Sequence, residues 1–513
     1  MIRIGVDVGG TNTDAVVMRD KEFVAGAKSP TTPDVTSGAK AAIGKALEQS
    51  GLAVDAVDAV MLGTTHFVNA LVRRRDLSPT GIVRLCLPSG SSLVPFADWP
   101  RDLVQAIGGK YRLVDGGYEM DGREIAPLDE DQVVQAVAEL KAEGCTEIAV
   151  SAVFSTVRGD MEERAAEVIR AAHPELNVTV SQQIGRIGLL ERENAAIINS
   201  ALRPLAVDVV AAFARMKADL GLTCPVFFTR NDGTLIDTAE VERLPVLTFA
   251  CGPTNSMRGA AFLSGLDNAL VVDIGGTTAD VGEVRDGFPR LAGTSVTVAD
   301  VQTNFSMPDV VSIGLGGGSM VNTATGKIGP DSVGLDLLTK GIVFGGDTLT
   351  ASDIAVAAGR AEMGTHPAPQ VSDLDGLLAE MDRMLTDVVA RSRTSAEAMP
   401  VLAVGGGSVL MGARVDGLEV VRPAHHDLAN AVGAAIAQVS GEVSKIVQLT
   451  DTLNREAAIA QITQEANDAA VTRGADPATL TVLSVSDVPL AYLPGQNLAI
   501  SVTVVGDLNL ETA

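Results

Sequence analysis

The stretch Ile4-Gly-Val-Asp-Val-Gly-Gly-Thr-Asn-Thr-Asp-Ala-Val-Val17 constrains the fold more than any other, because an altered copy returns as Val271-Val-Asp-Ile-Gly-Gly-Thr-Thr-Ala-Asp-Val281. Aligned without gaps, Asp7 matches Asp273, Gly9 and Gly10 match Gly275 and Gly276, Thr11 matches Thr277, and Asp14 matches Asp280. Each copy reads as a buried apolar strand, a glycine turn and a second strand, hence a hairpin. The two glycines permit positive φ and a close backbone approach to a ligand. Such a turn presents several N–H groups and a threonine hydroxyl together, a concavity suited to phosphate. An aspartate at the strand end suits a hydrated Mg²⁺, which takes one or two carboxylates plus phosphate oxygens. Two hairpins facing each other would grip one polyphosphate from both sides.

At 513 residues the chain is too long for one core. Its 52 glycines, set against three tyrosines and one tryptophan, favour a glycine-turned α/β protein over a β-sandwich. A formal charge of −25 repels nucleic acid and anionic membranes, so neither is expected as a partner. Any bound anion must then be held by local dipoles, a metal or a few bases. Cys86, Cys145, Cys224 and Cys251 are scattered without a Cys-x-x-Cys pair, which argues against a structural zinc site or disulfide framework and for a reducing cytoplasm. The N-terminus lacks the regions of a signal peptide, and no apolar stretch reaches the ~18 residues of a membrane helix.

Along the chain, residues 37–50 read as an amphipathic helix and 59–63 as a short buried strand. His66 and Asn69 follow near a strand-to-helix turn, where ligands are met in α/β sheets. Residues 88–127, rich in Pro, Gly and Asp, read as an insertion. Helices at 129–144 and 160–172 alternate with strands at 147–154 and 178–181, the pattern of a parallel sheet. A long helix over 186–216 is where the chain should cross between halves. The expected division is 1–190 for a first half, 191–440 for a second, and 441–513 for a small C-terminal α+β unit. That unit is read as a charged helix from 442 to 469 and a strand pair around Tyr492-Leu-Pro-Gly-Gln-Asn497.

Pro400-Val-Leu-Ala-Val-Gly-Gly-Gly-Ser408 is a third element, a buried strand ending in three glycines that let a flat ligand lie on the backbone. Placed after the two hairpins, Gly405, Gly406 and Gly407 form the expected nucleoside-contact loop. The His425-His426-Asp427 cluster could offer metal ligands, although adjacent side chains diverge on any regular element.

The order hairpin, linking helix, hairpin and late Gly-Gly-Gly element resembles the actin, Hsp70 and sugar kinase superfamily. More narrowly, the chain resembles the hydantoinase A/5-oxoprolinase family. The matching stretches are Asp7-Val-Gly-Gly-Thr-Asn-Thr-Asp14, Gly63-Thr-Thr-His-Phe-Val-Asn-Ala-Leu71, Asn231-Asp-Gly233, Cys251-Gly-Pro253, Asp273-Ile-Gly-Gly-Thr-Thr-Ala-Asp280, Ser312-Ile-Gly-Leu-Gly-Gly-Gly-Ser319 and Asn430-Ala-Val-Gly433. The resemblance implies a duplicated actin-like (ribonuclease H-like) ATPase fold with a nucleotide cleft between its domains, and ATP-dependent opening of a hydantoin, 5-oxoproline or other lactam. By position, Asp7 and Asp273 would serve Mg²⁺ and the chemistry, with Thr11 and Thr277. Gly9, Gly10, Asn12 and Thr13 would surround the ATP phosphates on one side, and Gly275, Gly276 and Thr278 on the other. Gly316 and Gly317 are counted with the cofactor contacts, and His66, Asn69 and the 312–319 loop with the substrate side. A B-type subunit is the implied partner in a hetero-oligomer. Subunits of ATP-dependent ketone carboxylases share these motifs, so that function stays open, as do a kinase and an actin-like scaffold without metabolic chemistry.

Overall fold

The structure is a computed structural model that describes every residue of the chain except 33, 35, 294, 396, 492–494 and 511–513. Strands Glu22–Pro30, Asn12–Arg19, Ile2–Val8, Ala59–Thr64 and Val226–Thr229 lie side by side, the first three antiparallel and the last two parallel to Ile2–Val8. The second copy repeats this order with Phe288–Pro289, Ala279–Arg285, Ala269–Ile274, Val401–Val404 and Leu418–Val421. The duplication in sequence is therefore a duplication of sheet topology.

Alternation along each first strand decides which way its side chains face. Ile4, Val6 and Val8 enter one core with the helices Thr36–Ser50 and Leu189–Asp219, while Leu270, Val272 and Ile274 enter another with the helix Leu374–Ser392. Between the two sheets lie an inner helix, Cys251–Ser264, and a crossing helix, Ala429–Ala435. A Cβ on Gly5 would stand 2.1 Å from the Ala431 carbonyl oxygen, so the first strand meets the crossing helix backbone to backbone. The two helices meet as closely: a Cβ on Gly259 would stand 1.8 Å from the Ala429 oxygen, and one on Gly433 1.8 Å from the Asn255 oxygen.

The segment expected as a loop insertion belongs to a larger inserted unit. Strands Lys110–Asp115, Thr80–Leu87, Glu147–Ala152 and Asn177–Val180 form a separate parallel sheet with its own core. A fully buried ion pair, Arg84 with Glu193, fastens it to the long helix, and Ser151 Oγ donates to the same carboxylate at 2.5 Å. Contrary to the expectation that no stretch is long and apolar enough, that helix, Leu189–Asp219, could cross a membrane by length and composition, yet 61% of its most apolar window is buried inside the protein. It is a core helix.

Sheet membership departs from the expected division of the chain. Val226–Thr229 and Thr234–Asp237, beyond the long helix, complete the first sheet. The expected helix over 442–469 is instead strand Gln438–Leu449 followed by helix Arg455–Thr472. Val439, Val443 and Val447 recur every fourth residue, a spacing compatible with either period. Pairing decides it: Gln438–Leu449 runs parallel to Thr234–Asp237 and antiparallel to Gln496–Gly506, so the C-terminal α+β unit extends the first sheet. Thr481–Pro489 and Gln496–Gly506 form the expected strand pair, while Tyr492 and the two residues after it lie outside the described residues.

Overpacking against backbone that cannot yield costs more than the usual ~1–3 kcal/mol of core overpacking. Gly259→Ala is therefore expected to destabilise the protein by at least about 3 kcal/mol. Gly44, on the half-buried flank of Thr36–Ser50 with no atom within 4 Å of an added methyl, should gain roughly 0.5–1 kcal/mol as Ala. Thermal melting midpoints of the two variants, moving in opposite directions, check this.

Candidate functional site

Asp7 ends the first strand of the first hairpin and is 4% exposed. Asn430 Nδ2 of the crossing helix donates to its Oδ2 at 3.1 Å, and Asn255 Nδ2 of the inner helix approaches its Oδ1 at 3.4 Å. Asp14, directly across the hairpin, is paired with Lys28 at 3.0 Å. Asp273 occupies the same place in the second hairpin, where Ser256 Oγ donates to its Oδ2 at 2.5 Å. Asp280, its cross-strand neighbour, accepts from the Ser312 hydroxyl.

Each hairpin thus carries a cross-strand pair of aspartates, and Lys28 sits beside the first pair. Burial raises Asp7 to about 6, and the charge of Asp14 adds to the effect. Burial raises Asp273 to about 7 against the opposing Ser256 hydrogen bond, and the charges of Asp280, Asp7 and Asp14 add smaller increases. Asn255 and Ser256, consecutive on the inner helix, reach Asp7 and Asp273, so the strand-end carboxylates of both hairpins lie against one turn of that helix.

The two turns close alike, Gly9 N–H on the Asn12 oxygen at 3.1 Å and Gly275 N–H on the Thr278 oxygen at 2.9 Å. Gly10 and Asn12, with Gly275, Thr277 and Thr278, are exposed; Gly9, Thr11 and Gly276 are half-buried. A Cβ on Gly276 would stand 2.9 Å from Thr11 Oγ1, so the tips of the turns meet across the cleft. The expected opposition of Thr11 with the Gly275–Gly276 turn is therefore present.

Several expected contacts are placed differently. Thr13 is fully buried and its Oγ1 lies 3.2 Å from Thr31 Oγ1, whose own hydroxyl donates to the Gly9 oxygen at 2.8 Å. Strand alternation turns Thr13 away from the face of Asp14, so its side chain braces the turn rather than facing a phosphate. Gly316 and Gly317 are buried beneath the second turn: Gly317 N–H donates to the Gly275 oxygen at 3.0 Å, and Gly316 approaches Thr277 so closely that a Cβ would fall 2.4 Å from its nitrogen. They support the turn from behind. In the third loop, Gly405 has φ +80°, and a Cβ there would stand 2.4 Å from Asp273 Oδ1; Gly407 N–H donates to the Ile274 oxygen at 2.7 Å. Gly406 alone of the three is exposed, with nothing within 4 Å of a Cβ, and offers the open backbone.

His66 begins the helix His66–Val72 directly after Thr64, which pairs with Val8 beside Asp7. It is half-buried, and burial lowers its pKa. Asn69 Nδ2 donates to Thr65 Oγ1 at 3.2 Å, and Thr65 faces Gly252 at the start of the inner helix. Both residues therefore flank the same end of the sheet as the aspartates. The His425-His426-Asp427 cluster splays: His425 stacks on Phe23 at 3.8 Å between ring centres, while His426 Nδ1 meets the Pro423 oxygen at 3.1 Å.

Asn255, Ser256 and Asn430 are contacts that the sequence pattern did not assign, although each stands in or beside a family stretch. Their signal is a polar residue on a helix that packs backbone to backbone against another, fully buried in the case of Asn255. Asn255 Oδ1 is buried with no hydrogen-bond partner beside Asp7. Among the described residues no three His, Cys, Asp or Glu side chains converge as a metal cage. The donors instead fit a hard cation that takes one or two carboxylates and completes its shell with phosphate oxygens and water.

Both carboxyls hold their protons more tightly folded than unfolded, so their contribution to stability is fullest below about pH 4 and is lost as pH rises through about 6 for Asp7 and about 7 for Asp273. The melting midpoint in chelator is expected to fall across that interval, and Asp7→Asn with Asp273→Asn should flatten the fall. Mg²⁺ should oppose it by favouring the ionised pair.

The hydantoinase/oxoprolinase N-terminal region matches residues 3–173, and the hydantoinase/oxoprolinase domain matches residues 192–374. The chain is 26% identical over 391 residues to caprolactamase subunit alpha of Pseudomonas jessenii, covering 70% of this chain and 54% of that protein. It is 27% identical over 373 residues to acetophenone carboxylase gamma subunit of Aromatoleum aromaticum, covering 64% and 49% respectively. The chain thus spans about half the length of these curated relatives. In structure it is similar to the ATP-dependent caprolactamase from Pseudomonas jessenii, with TM-score 0.77 and 17% identity, and to nucleotide-free acetone carboxylase, with TM-score 0.69 and 19% identity; each alignment covers 99% of this chain and 88% of the other. Those likenesses are of fold, and together with the two matched regions they show that the chain belongs to the hydantoinase/oxoprolinase family.

Proposed function

We propose that this chain is the A-type, ATP-hydrolysing subunit of an enzyme that opens a cyclic amide or imide, such as a hydantoin, 5-oxoproline or another lactam. The observation that carries the reading is the pair of Asp-x-Gly-Gly-Thr hairpins whose tips meet and whose aspartates share one site. A lactam carbonyl is a weak electrophile that water attacks slowly. Transfer of the ATP γ-phosphoryl group to the amide oxygen breaks the bond to ADP and forms an imidate phosphate. Water then adds at its carbon, opening of the C–N bond leaves an acyl phosphate and a free amine, and a second water releases inorganic phosphate and the ring-opened carboxylate.

Phosphoryl transfer requires positioning and charge neutralisation more than covalent help. The exposed turn at Gly10 and the Gly275–Gly276 turn supply backbone dipoles from opposite sides, with the Thr11 and Thr277 hydroxyls beside them. Asp7 and Asp273 are the residues that would hold Mg²⁺, which when bound neutralises phosphate charge. Gly406 offers a backbone surface for the nucleoside, and His66 and Asn69 stand on the substrate side of the sheet end. A B-type subunit is the proposed partner, given that the curated relatives are named as subunits.

A second reading is favoured by the likeness to acetophenone carboxylase gamma subunit, in which the same transfer would activate bicarbonate or a small ketone. The two differ in one requirement. ADP release measured over a panel of lactams, hydantoins and ketones, with and without a B-type subunit and with and without bicarbonate, is expected to depend on a cyclic amide and not on bicarbonate. Bicarbonate dependence would establish the carboxylase reading, and accumulation of a phosphorylated product would establish a kinase. Asp7→Asn and Asp273→Asn should each lower turnover by roughly 10²-fold or more; near-normal rates in both would remove the site.

A further inference from the structure

Each hairpin aspartate is touched by the inner helix, and the two touching residues are consecutive. Asn255 reaches Asp7 on the first sheet and Ser256 donates to Asp273 on the second. Successive side chains on an α-helix fan out by about 100°, so neighbouring residues can address opposite walls of a cleft. The surroundings are shaped for this contact. A Cβ on Gly63 would stand 2.5 Å from Asn255 Nδ2 and 2.6 Å from Asp7 Oδ1, so glycine at that position leaves the amide its route to the carboxylate. Asn255 Nδ2 is also held by Thr229 Oγ1 at 3.0 Å, which fixes the side chain in the first sheet.

The start of the helix is fixed in turn by Asn231, the first residue of the Asn-Asp-Gly turn that the phosphate site itself does not use. Ala250 N–H donates to Asn231 Oδ1 at 2.8 Å, Asn231 Nδ2 donates to the Val246 oxygen at 2.9 Å, and Thr254 Oγ1 donates to the Asn231 oxygen at 2.8 Å. Asn231 N–H donates to the Leu247 oxygen at 2.7 Å. One side chain and its peptide group therefore tie the approach to the inner helix and its first turn to the first sheet.

We infer that Asn255 and Ser256 are a pair of positioning residues, a crossbar that sets the separation of Asp7 and Asp273 across the cleft, with Asn231 as its anchor. The inference rests on the nucleotide site proposed above, though on neither the lactam nor the carboxylase chemistry. It divides the labour. Loss of the Asn255 amide disturbs the first carboxylate and spares the second; loss of the Ser256 hydroxyl does the reverse. A merely structural role would weaken both together.

The test is calorimetric binding of ADP to the full chain, with Mg²⁺ and with chelator, alongside single-turnover phosphate release from bound Mg·ATP. Asn255→Ala is expected to weaken Mg²⁺-dependent ADP binding about tenfold while ADP binding in chelator is unchanged. Ser256→Ala should weaken Mg²⁺-dependent ADP binding clearly less than Asn255→Ala does and slow phosphate release about tenfold, and Ser256→Thr, which keeps the hydroxyl, should recover most of that rate. Should Asn255→Ala fail to fold, Asn255→Ser, which keeps a small polar group in the pocket while losing the Nδ2 that meets Thr229 and Asp7, carries the comparison. Asn231→Ala should lower both quantities together. Equal losses in the Asn255 and Ser256 variants, or no loss in either, would overturn the crossbar while leaving the nucleotide site standing; absence of ADP binding by the unaltered chain would overturn both.

Discussion

The backbone contact between the inner and crossing helices sets every distance at the site. Each helix belongs to a different sheet: Met257, Ala260 and Ala261 pack on Val271, Leu402 and Val404, whereas Ala431, Val432 and Ala435 pack on Val16 and Met18. Gly259 and Gly433 remove the side chains that would hold the helices apart, and the sheets approach accordingly. Dispersion grows steeply with closeness, so a contact of this kind resists small sliding movements. The turns bearing Thr11 and Gly276 lie at the ends of strands fixed by that contact, and they meet for that reason. A looser helix pair would leave the same turns facing each other across water.

Electrostatics works against this packing. The fold places Asp7, Asp14, Asp273 and Asp280 near one another with Lys28 as the cation beside them, in a chain that already carries a charge of −25. Burial of like charges raises their proton affinity and costs stability wherever they ionise. Such a site is relieved by a cation or by hydrogen-bond donors, the requirement that the nucleotide reading proposed above would meet.

Much of this was legible in the sequence because it rests on local pattern. The duplicated hairpins follow from apolar alternation and paired glycines, and they appear with equivalent cross-strand pairs, Asp7 with Asp14 and Asp273 with Asp280. The helices near 36–50, 160–172 and 374–393 follow from periodicity in the same way. What was not legible depends on partners distant in the chain. Strand Gln438–Leu449 carries a pattern that suits either helix or strand, and pairing with Thr234–Asp237 and Gln496–Gly506 settles it. Thr13, Gly316 and Gly317 carry the residue types of phosphate contacts, yet burial turns them into supports for the turns. Asn255 and Asn430 escape a reading of motifs because their role arises only where two helices cross beside a strand end.

The two copies of the hairpin share a shape but not an environment, and the difference bears on what each can do. A carboxylate has about four lone-pair positions. Amides from Asn430 and Asn255 address both oxygens of Asp7; their donated hydrogen bonds orient the carboxylate and partly oppose the rise that burial imposes on its pKa. Asp273 accepts from a single hydroxyl, with Gly405 pressed against its other oxygen, and keeps more of its lone pairs free. Asp14 is neutralised by Lys28, whereas Asp280 faces only the Ser312 hydroxyl. The first copy is thereby suited to holding a fixed negative charge against a cation. The second has fewer donors around its carboxylate, so the two copies of one hairpin differ in the partners that surround their strand-end aspartates.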